Sequence, residues 1–255
     1  MTQPNKNARR VALITGSGRG IGAATAKLAA ARGFDVAVNY VRNADAAEQV
    51  ADEIRAAGAK AIAICADTAD PAQVGAMFER IDAELGPVSA LVNNAGITGK
   101  AGRLERYGAD EMRRVIDVNV LGVLLCSQQA ARRMSTRHGG AGGTIVNVSS
   151  MAATLGGANT WIPYAAAKGA VNTLTVGMSR ELAAEGIAVN AVLPGLVDTE
   201  IHAEAGVADR LKNMLPQIPI GRIGTADECA QVIVWLMADA PAYMTGGLLP
   251  VSGGR

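Results

Sequence analysis

One stretch, Arg10 to Gly33, constrains the fold more than any other. Arg10-Val11-Ala12-Leu13-Ile14-Thr15 is a short apolar run. Gly16-Ser17-Gly18-Arg19-Gly20-Ile21-Gly22 follows it at once, and an alanine-rich segment from Ala23 to Arg32 stops at Gly33. The order reads as strand, glycine turn and helix. Gly16 and Gly20 permit a sharp turn and a close ligand approach that a Cβ would block. Gly22, one turn into the helix, lets that helix lie close against its strand. The helix start then offers N–H groups and the positive end of a dipole to a phosphate. A tight turn without a ligand is the plainer explanation of a lone glycine motif, but it does not explain why the motif sits between a strand and a helix.

A chain of 255 residues suits one sizeable α/β domain and is short for two. Its net charge of +1 gives no electrostatic case for nucleic acid or an anionic membrane. Hydrophobic residues make up 49% and aromatics 3%, which suits parallel strands buried on both faces with helices packed closely over them. No apolar run is long enough to span a bilayer. Met1 to Arg9 is polar and lacks a signal-peptide core, so the expectation is a cytoplasmic protein with a flexible tail over residues 1–9. Cys65, Cys126 and Cys229 sit singly in apolar surroundings and read as reduced core thiols. Only His138 and His202 are present, far apart, so no metal site is expected.

Strand and helix signals alternate almost to the end of the chain. Strands are expected at Asp35–Tyr40, Lys60–Cys65, Val88–Val92, Thr144–Val148, Ile187–Leu193 and Leu248–Val251. Helices are expected at Ala44–Ala57, from Pro71 to the Gly86-Pro87 stop, at Asp110–Arg137 with a break near Asn119, at Pro163–Ala184, and from a Thr225 cap to Ala238. His138 to Gly143 has the glycine content of a phosphate loop but no Lys-Ser/Thr and no following helix, so it reads as a mobile surface connection. Helices of this length between strands imply a parallel sheet with right-handed crossovers, and ligands bind beyond the carboxyl ends of such strands. Those positions hold the glycine turn, Asp67, Asn93-Asn94-Ala95-Gly96, Ser149-Ser150 and Pro194-Gly195.

Tyr164-Ala165-Ala166-Ala167-Lys168 opens the long helix near Pro163. Residues four apart share a helix face. An ammonium near a phenol favours phenolate, and a downward shift of roughly two to three units, about 3–4 kcal/mol, which one lysine plus a cationic cofactor ring could supply, would bring the tyrosine near working pH. Tyr164 is then a candidate general acid or base. An ordinary surface pair would have the same spacing; the dinucleotide-type loop and the strand ending in two serines favour the chemical reading.

Taken together, Thr15–Gly22, Asn93–Gly96, Asn119, Ile145–Ser150, Tyr164–Lys168 and Pro194-Gly195 resemble the short-chain dehydrogenase/reductase family over essentially Arg10 to Arg255. The likeness is greatest to the bacterial branch of sugar dehydrogenases and 3-oxoacyl-carrier-protein reductases. The resemblance implies a single doubly wound Rossmann-type α/β domain (residues 10–255) with a seven-stranded parallel sheet and helices on both faces. It implies hydride transfer between a nicotinamide cofactor and a carbonyl or secondary-alcohol substrate. In that case Tyr164 passes the proton, Ser150 hydrogen-bonds the substrate oxygen, Lys168 lowers the tyrosine pKa and holds the nicotinamide ribose, and Asn119 binds a relay water. Ser149 and Ser150 face opposite ways as strand neighbours, and the family pattern selects Ser150. The implied cofactor contacts are Gly16, Ser17, Arg19, Gly20 and Ile21, then Asn39, Tyr40 and Arg42, then Asp67 and Thr68. Asn93, Ala95, Gly96, Pro194, Gly195, Val197 and Thr199 complete them, together with Tyr164 and Lys168. A homo-oligomer, most often a tetramer, is also implied, with Gly169 and Gly177 permitting close helix packing.

Two further expectations concern ligand choice and closure. An NAD site usually places an acidic residue about 20 residues beyond the glycine loop, at the second strand's end. Here that strand ends Asn39-Tyr40-Val41-Arg42, without a carboxylate, and Arg19 and Arg42 match a 2′-phosphate in charge and geometry. NADP(H) is therefore expected in preference to NAD(H). The long segment 196–221, with Pro216 and Pro219, reads as a substrate lid. Two rival functions are a dinucleotide-binding regulator without turnover and an epimerase or dehydratase of the longer nucleotide-sugar branch. The Ser150, Tyr164 and Lys168 set argues against the first, and the short chain against the second.

Overall fold

Strand β1 (Arg10–Ile14) passes through the glycine turn into α1 (Gly20–Ala31), and strand and helix then alternate. They run β2 (Phe34–Tyr40), α2 (Ala44–Ala56), β3 (Ala61–Cys65), α3 (Pro71–Glu84) and β4 (Ala90–Asn93). The second half holds α4 (Ala109–Ile116), a π-helical turn (Asp117–Leu121), α5 (Gly122–Met134), β5 (Gly143–Val148), α6 (Ala152–Leu155), α7 (Ile162–Leu182), β6 (Ile187–Pro194), α8 (Ala226–Ala238) and β7 (Leu248–Val251). The computed structural model describes residues 9–200 and 213–255. The seven strands form one parallel sheet in the order β3-β2-β1-β4-β5-β6-β7. The chain reverses direction across the sheet between β1 and β4, the position at which α/β sheets open a crevice.

Alternation along the strands divides the core in two. Ala12, Ile14, Val36 and Val38 face α1, α2 and α8. Val11, Leu13, Ala37 and Leu91 face the other way, with Val74, Phe78 and Ile81 of α3 and Cys126, Ala130 and Met134 of α5. The expected helix boundaries shift where glycines hide them. Helix α1 starts at Gly20, three residues before the alanine run, and α6 lies in a stretch that reads only as loop. The expected break at Asn119 is the π turn, a device that commonly re-aims a side chain.

Three expectations are corrected. Arg9 is anchored, not part of a flexible tail. Its guanidinium donates to Ala30 O and Phe34 O and pairs with Asp35 at 3.0 Å; residues 1–8 lie outside the described residues. Cys65 is exposed, because it ends β3 at the open edge of the sheet, whereas Cys126 and Cys229 are buried. The 138–143 connection is tied down by Gly140 N–H to Ser135 O and Gly142 N–H to Met134 O, and Gly140 is packed so closely that a Cβ would meet main-chain oxygens.

Candidate active site

A cavity of about 740 Å³ runs along the carboxyl ends of the strands. At one side lies the N-terminus of α1. Gly16 (φ +62°) and Gly20 (φ +53°) turn the chain into it, and a Cβ on Gly16 would stand 2.9 Å from Ala95 Cα. No side chain caps this helix, and no acidic residue sits in its first turn. The leading N–H groups of Gly20, Ile21 and Gly22 therefore meet the cavity with the positive dipole end. Arg19 and Arg42 line the same region, Arg42 just past β2. Asp35, the one carboxylate of β2, is at the strand's other end and accepts from Lys60 N–H. These are the donors and charges that suit an anionic dinucleotide.

Toward the other side, Ser150, Tyr164 and Lys168 line the wall. The Ser149 hydroxyl donates to Lys168 O of α7, while the Ser150 hydroxyl accepts from Ala152 N–H where the chain turns into α6. Lys168 is buried and donates to Val148 O at 2.7 Å. Its Nζ stands 5.6 Å from the centre of the Tyr164 ring. Burial pushes the lysine down to about 8. Burial also raises the Tyr164 phenol above its ordinary value, and the neighbouring Ser150 hydroxyl acts in the opposite sense. The expected lowering of the tyrosine, assigned to Lys168 acting together with a cationic nicotinamide ring, is not produced by the protein's own groups. The ammonium stands 5.6 Å from the ring centre and makes no hydrogen bond to the phenol oxygen, so desolvation prevails.

Most of the expected cofactor contacts meet at this cavity: Gly16, Arg19, Gly20, Ile21, Tyr40, Arg42, Asp67, Thr68, Ala95, Gly96, Pro194, Gly195, Val197 and Thr199 all line it. Asp67 also holds Arg114 at 2.7 Å. Ser17, Asn39 and Asn93 do not reach the cavity, because the fold uses their side chains internally. Ser17 donates to Ile14 O. Asn39 accepts from Gly16 N–H and donates to Ala66 O, fixing the glycine turn. Asn93 donates to Asn147 and Ser127, and Asn147 donates to Thr175, a buried chain linking β4, β5, α5 and α7. Asn119 is buried off the cavity, donating to Ile97 O and Val115 O, and its Oδ1 has no protein partner. A Cβ on Gly96 would lie 2.7 Å from that oxygen and 3.5 Å from Lys168 Nζ, so the two polar ends converge behind Gly96.

The structure adds detail to the strand-end motif and brings in further lining residues, of which Leu155 and Arg255 carry no sequence signal. Asn94 Nδ2 donates to Thr15 O and Gly16 O, each at 2.9 Å, and clamps the glycine turn. Leu155, Trp161, Met214 and Arg255 also line the cavity. Part of the expected lid, residues 201–212, lies outside the described residues; Val197 pairs with Gly224 beside it. Among the described residues no cluster suits a metal ion, and no helix is long and apolar enough to cross a membrane.

Residues 10–209 match the family model described as short chain dehydrogenase. The chain is 48% identical over 245 residues to the uncharacterized oxidoreductase YgfF of Escherichia coli K12, covering 96% of this chain and 99% of the relative. It is 42% identical to cis-4-hydroxycyclohexanecarboxylate dehydrogenase of Sinomonas cyclohexanicum, covering 97% and 96%. A short chain dehydrogenase from Burkholderia cenocepacia J2315, solved in complex with NADP, superposes with a TM-score of 0.88 at 37% identity, covering 98% of this chain and 99% of that one.

Proposed function

The chain belongs to the short-chain dehydrogenase family and is an NAD(P)-dependent dehydrogenase or reductase; on that footing we propose that it moves a hydride between NADP(H) and a carbonyl or secondary alcohol, with Tyr164 passing the proton. One observation carries this reading. Ser150, Tyr164 and Lys168 share a wall of the cavity whose other side is an uncapped helix N-terminus flanked by Arg19 and Arg42. The NADP in the Burkholderia structure and the secondary-alcohol substrate in the name of the Sinomonas relative support it.

When bound, the nicotinamide supplies or accepts the hydride. Uncapped N–H groups of α1 hold its phosphates, and Arg19 and Arg42 hold the 2′-phosphate. Ser150 hydrogen-bonds the substrate oxygen and positions it against Tyr164. Burial keeps the phenol protonated near neutral pH, so Tyr164 holds the proton it donates. As hydride reaches the carbonyl carbon, the phenolic proton passes to the oxygen and C=O becomes CH–OH; oxidation runs the same transfers backwards. Lys168, held on Val148 O, neutralises the phenolate that donation leaves. The partnerless Asn119 Oδ1 fits the task of holding a water that returns protons by way of Lys168.

We read the chain as one catalytic domain over residues 10–255, with 196–221 closing over substrate, and as a homo-oligomer. A Cβ on Gly169 or Gly177 meets nothing within 4 Å, and Ile116, Leu121 and Leu124 are exposed, which supports further packing of helices from a second copy. The test of function is Tyr164→Phe, which keeps the ring and removes the proton. Turnover of ketones with NADPH should fall to under about one per cent of wild type, with NADPH affinity retained. Substantial residual kcat would remove Tyr164 from the mechanism, and a wild type that binds NADPH yet reduces no ketone would favour the regulator.

A further inference from the structure

The strand order fixes positions along the cavity. Arg42 follows β2, whereas Arg255 follows β7, with β1, β4, β5 and β6 between them. At about 4.8 Å per strand that is roughly 24 Å, too far for both to serve one phosphate. The main chain leading to Arg255 is firmly placed. Ser252 packs against Gly195, Gly253 O accepts from Ile220 N–H at 3.1 Å, and Gly254 lies against Pro219.

Among the described residues every arginine is exposed except Arg133 and Arg255. Arg133 is paired with Asp82 at 2.7 Å and stacks on Phe78. Arg255 lines the cavity with no ion pair or hydrogen bond of its side chain among the described residues, and burial pulls its pKa below the ordinary value. A half-buried, unpaired guanidinium is costly unless something completes it. The other charges of the lining lie elsewhere: Asp67 pairs with Arg114, Lys168 donates to Val148 O, and Glu200 lies beside Gly20. The cavity lining also includes the apolar side chains of Leu155, Trp161 and Met214.

We propose that Arg255 recognises a carboxylate on the substrate, so that the chain acts on oxo acids and hydroxy acids whose carboxylate stands several bonds from the reacting carbon. This rests on the reading that Tyr164 and Ser150 mark the reacting carbon. A planar guanidinium takes a carboxylate through two parallel hydrogen bonds. The separation follows from the sheet, since β5, which delivers Ser150, and β7 are two strand spacings apart, roughly 10 Å. Apolar lining such as Leu155, Trp161 and Met214 would hold the intervening carbons.

The experiment compares 5-oxohexanoate and 7-oxooctanoate with their methyl esters as substrates of the full chain with NADPH, for wild type, Arg255→Gln and Arg255→Lys. Wild type should prefer acid to ester in kcat/KM. Arg255→Gln should lower that acid-to-ester ratio about tenfold or more, chiefly through KM for the acid, and Arg255→Lys should restore part of it. Esters turned over with acids no better in wild type would overturn the carboxylate assignment alone. Equal losses on acid and ester in Arg255→Gln, accompanied by weaker NADPH binding, would give Arg255 to the cofactor and also overturn it. A wild type that reduces none of the four ketones would overturn the proposed function itself.

Discussion

Adding one methyl group to Gly22 should destabilise the protein, while adding it to Gly75 should do the reverse. A Cβ at Gly22 would lie 2.5 Å from Asn94 Nδ2, 2.6 Å from Gly16 O and 2.8 Å from Ser17 Cα. Two of those atoms are backbone of the glycine turn and cannot swing away. Asn94 can move only by surrendering its bonds to Thr15 O and Gly16 O, worth about 1 kcal/mol each. Overpacking the turn costs about 2 kcal/mol more, and better helix propensity returns about 1 kcal/mol. Gly22→Ala should therefore lose about 3 kcal/mol. Gly75, inside α3, has nothing within 4 Å of its Cβ position, so Gly75→Ala should gain about 1 kcal/mol. Urea unfolding at fixed protein concentration, with unchanged m, reads both as shifts of the midpoint. A parallel NADPH titration should show weaker binding for Gly22→Ala alone, because the turn presents the helix N–H groups. Equal midpoints for the two variants, or a stable Gly22→Ala, would refute this account of the turn.

Replacing Arg19 and Arg42 together by Ala should weaken NADP(H) at least about tenfold and NAD(H) little; equal losses, measured by fluorescence titration, would remove them from 2′-phosphate recognition. Lys168→Met should abolish turnover yet raise stability at pH 7 by about 2 kcal/mol: the buried ammonium, pushed from 10.5 down to about 8, no longer costs about 3 kcal/mol, and the lost hydrogen bond to Val148 O takes back about 1 kcal/mol. The folded pKa lies below the unfolded one, so wild-type stability rises with pH between about 8 and 10.5, and the gap between the two urea midpoints should close over that window. Thr225→Ala breaks the capping box with Glu228 at the start of α8 and should cost about 1 kcal/mol, read as a lower Tm with kcat unchanged.

The alternation of strands and helices was legible because each parallel strand is a buried apolar run and each helix ends at a glycine or proline. The positions of the glycine turn, Tyr164 and Lys168 were legible because their spacing fixes a shared edge or face, whereas Ser150 was chosen over Ser149 on family resemblance. Side-chain direction was not. Ser17, Asn39 and Asn93 sit at strand ends, where ligands bind, but their hydroxyl and amide groups satisfy buried backbone and side-chain partners. The balance that the protein's own groups strike on Tyr164 was hidden for a related reason. Spacing four apart places Lys168 near the tyrosine, but it does not say whether the ammonium meets the oxygen or the ring, or how deeply both are buried. Arg255 had no signal, because its place depends on β7 lying beside β6, a pairing that the sequence leaves unstated.

The sheet converts a scattered sequence into a single line of chemistry. Read across the strand ends, the order is Arg42, the glycine turn, Asn94 to Gly96, Ser150, Pro194-Gly195 and Arg255. This is not sequence order, because the chain starts in the middle at β1, winds outward to β3, returns to β4 and winds outward again to β7. The reversal leaves the crevice between β1 and β4 uncovered by a crossover, so the cavity can pass from one half to the other without interruption. Arginines therefore stand at both sides, with proton-transfer groups between them. Such an arrangement suits two ligands laid end to end, each held by its own anion at an outer side and meeting where Tyr164 can deliver a proton. The distance between the charges would keep each anion from competing for the other's arginine, and Leu155, Trp161 and Met214 add apolar lining of the kind that buries the uncharged part of a small ligand.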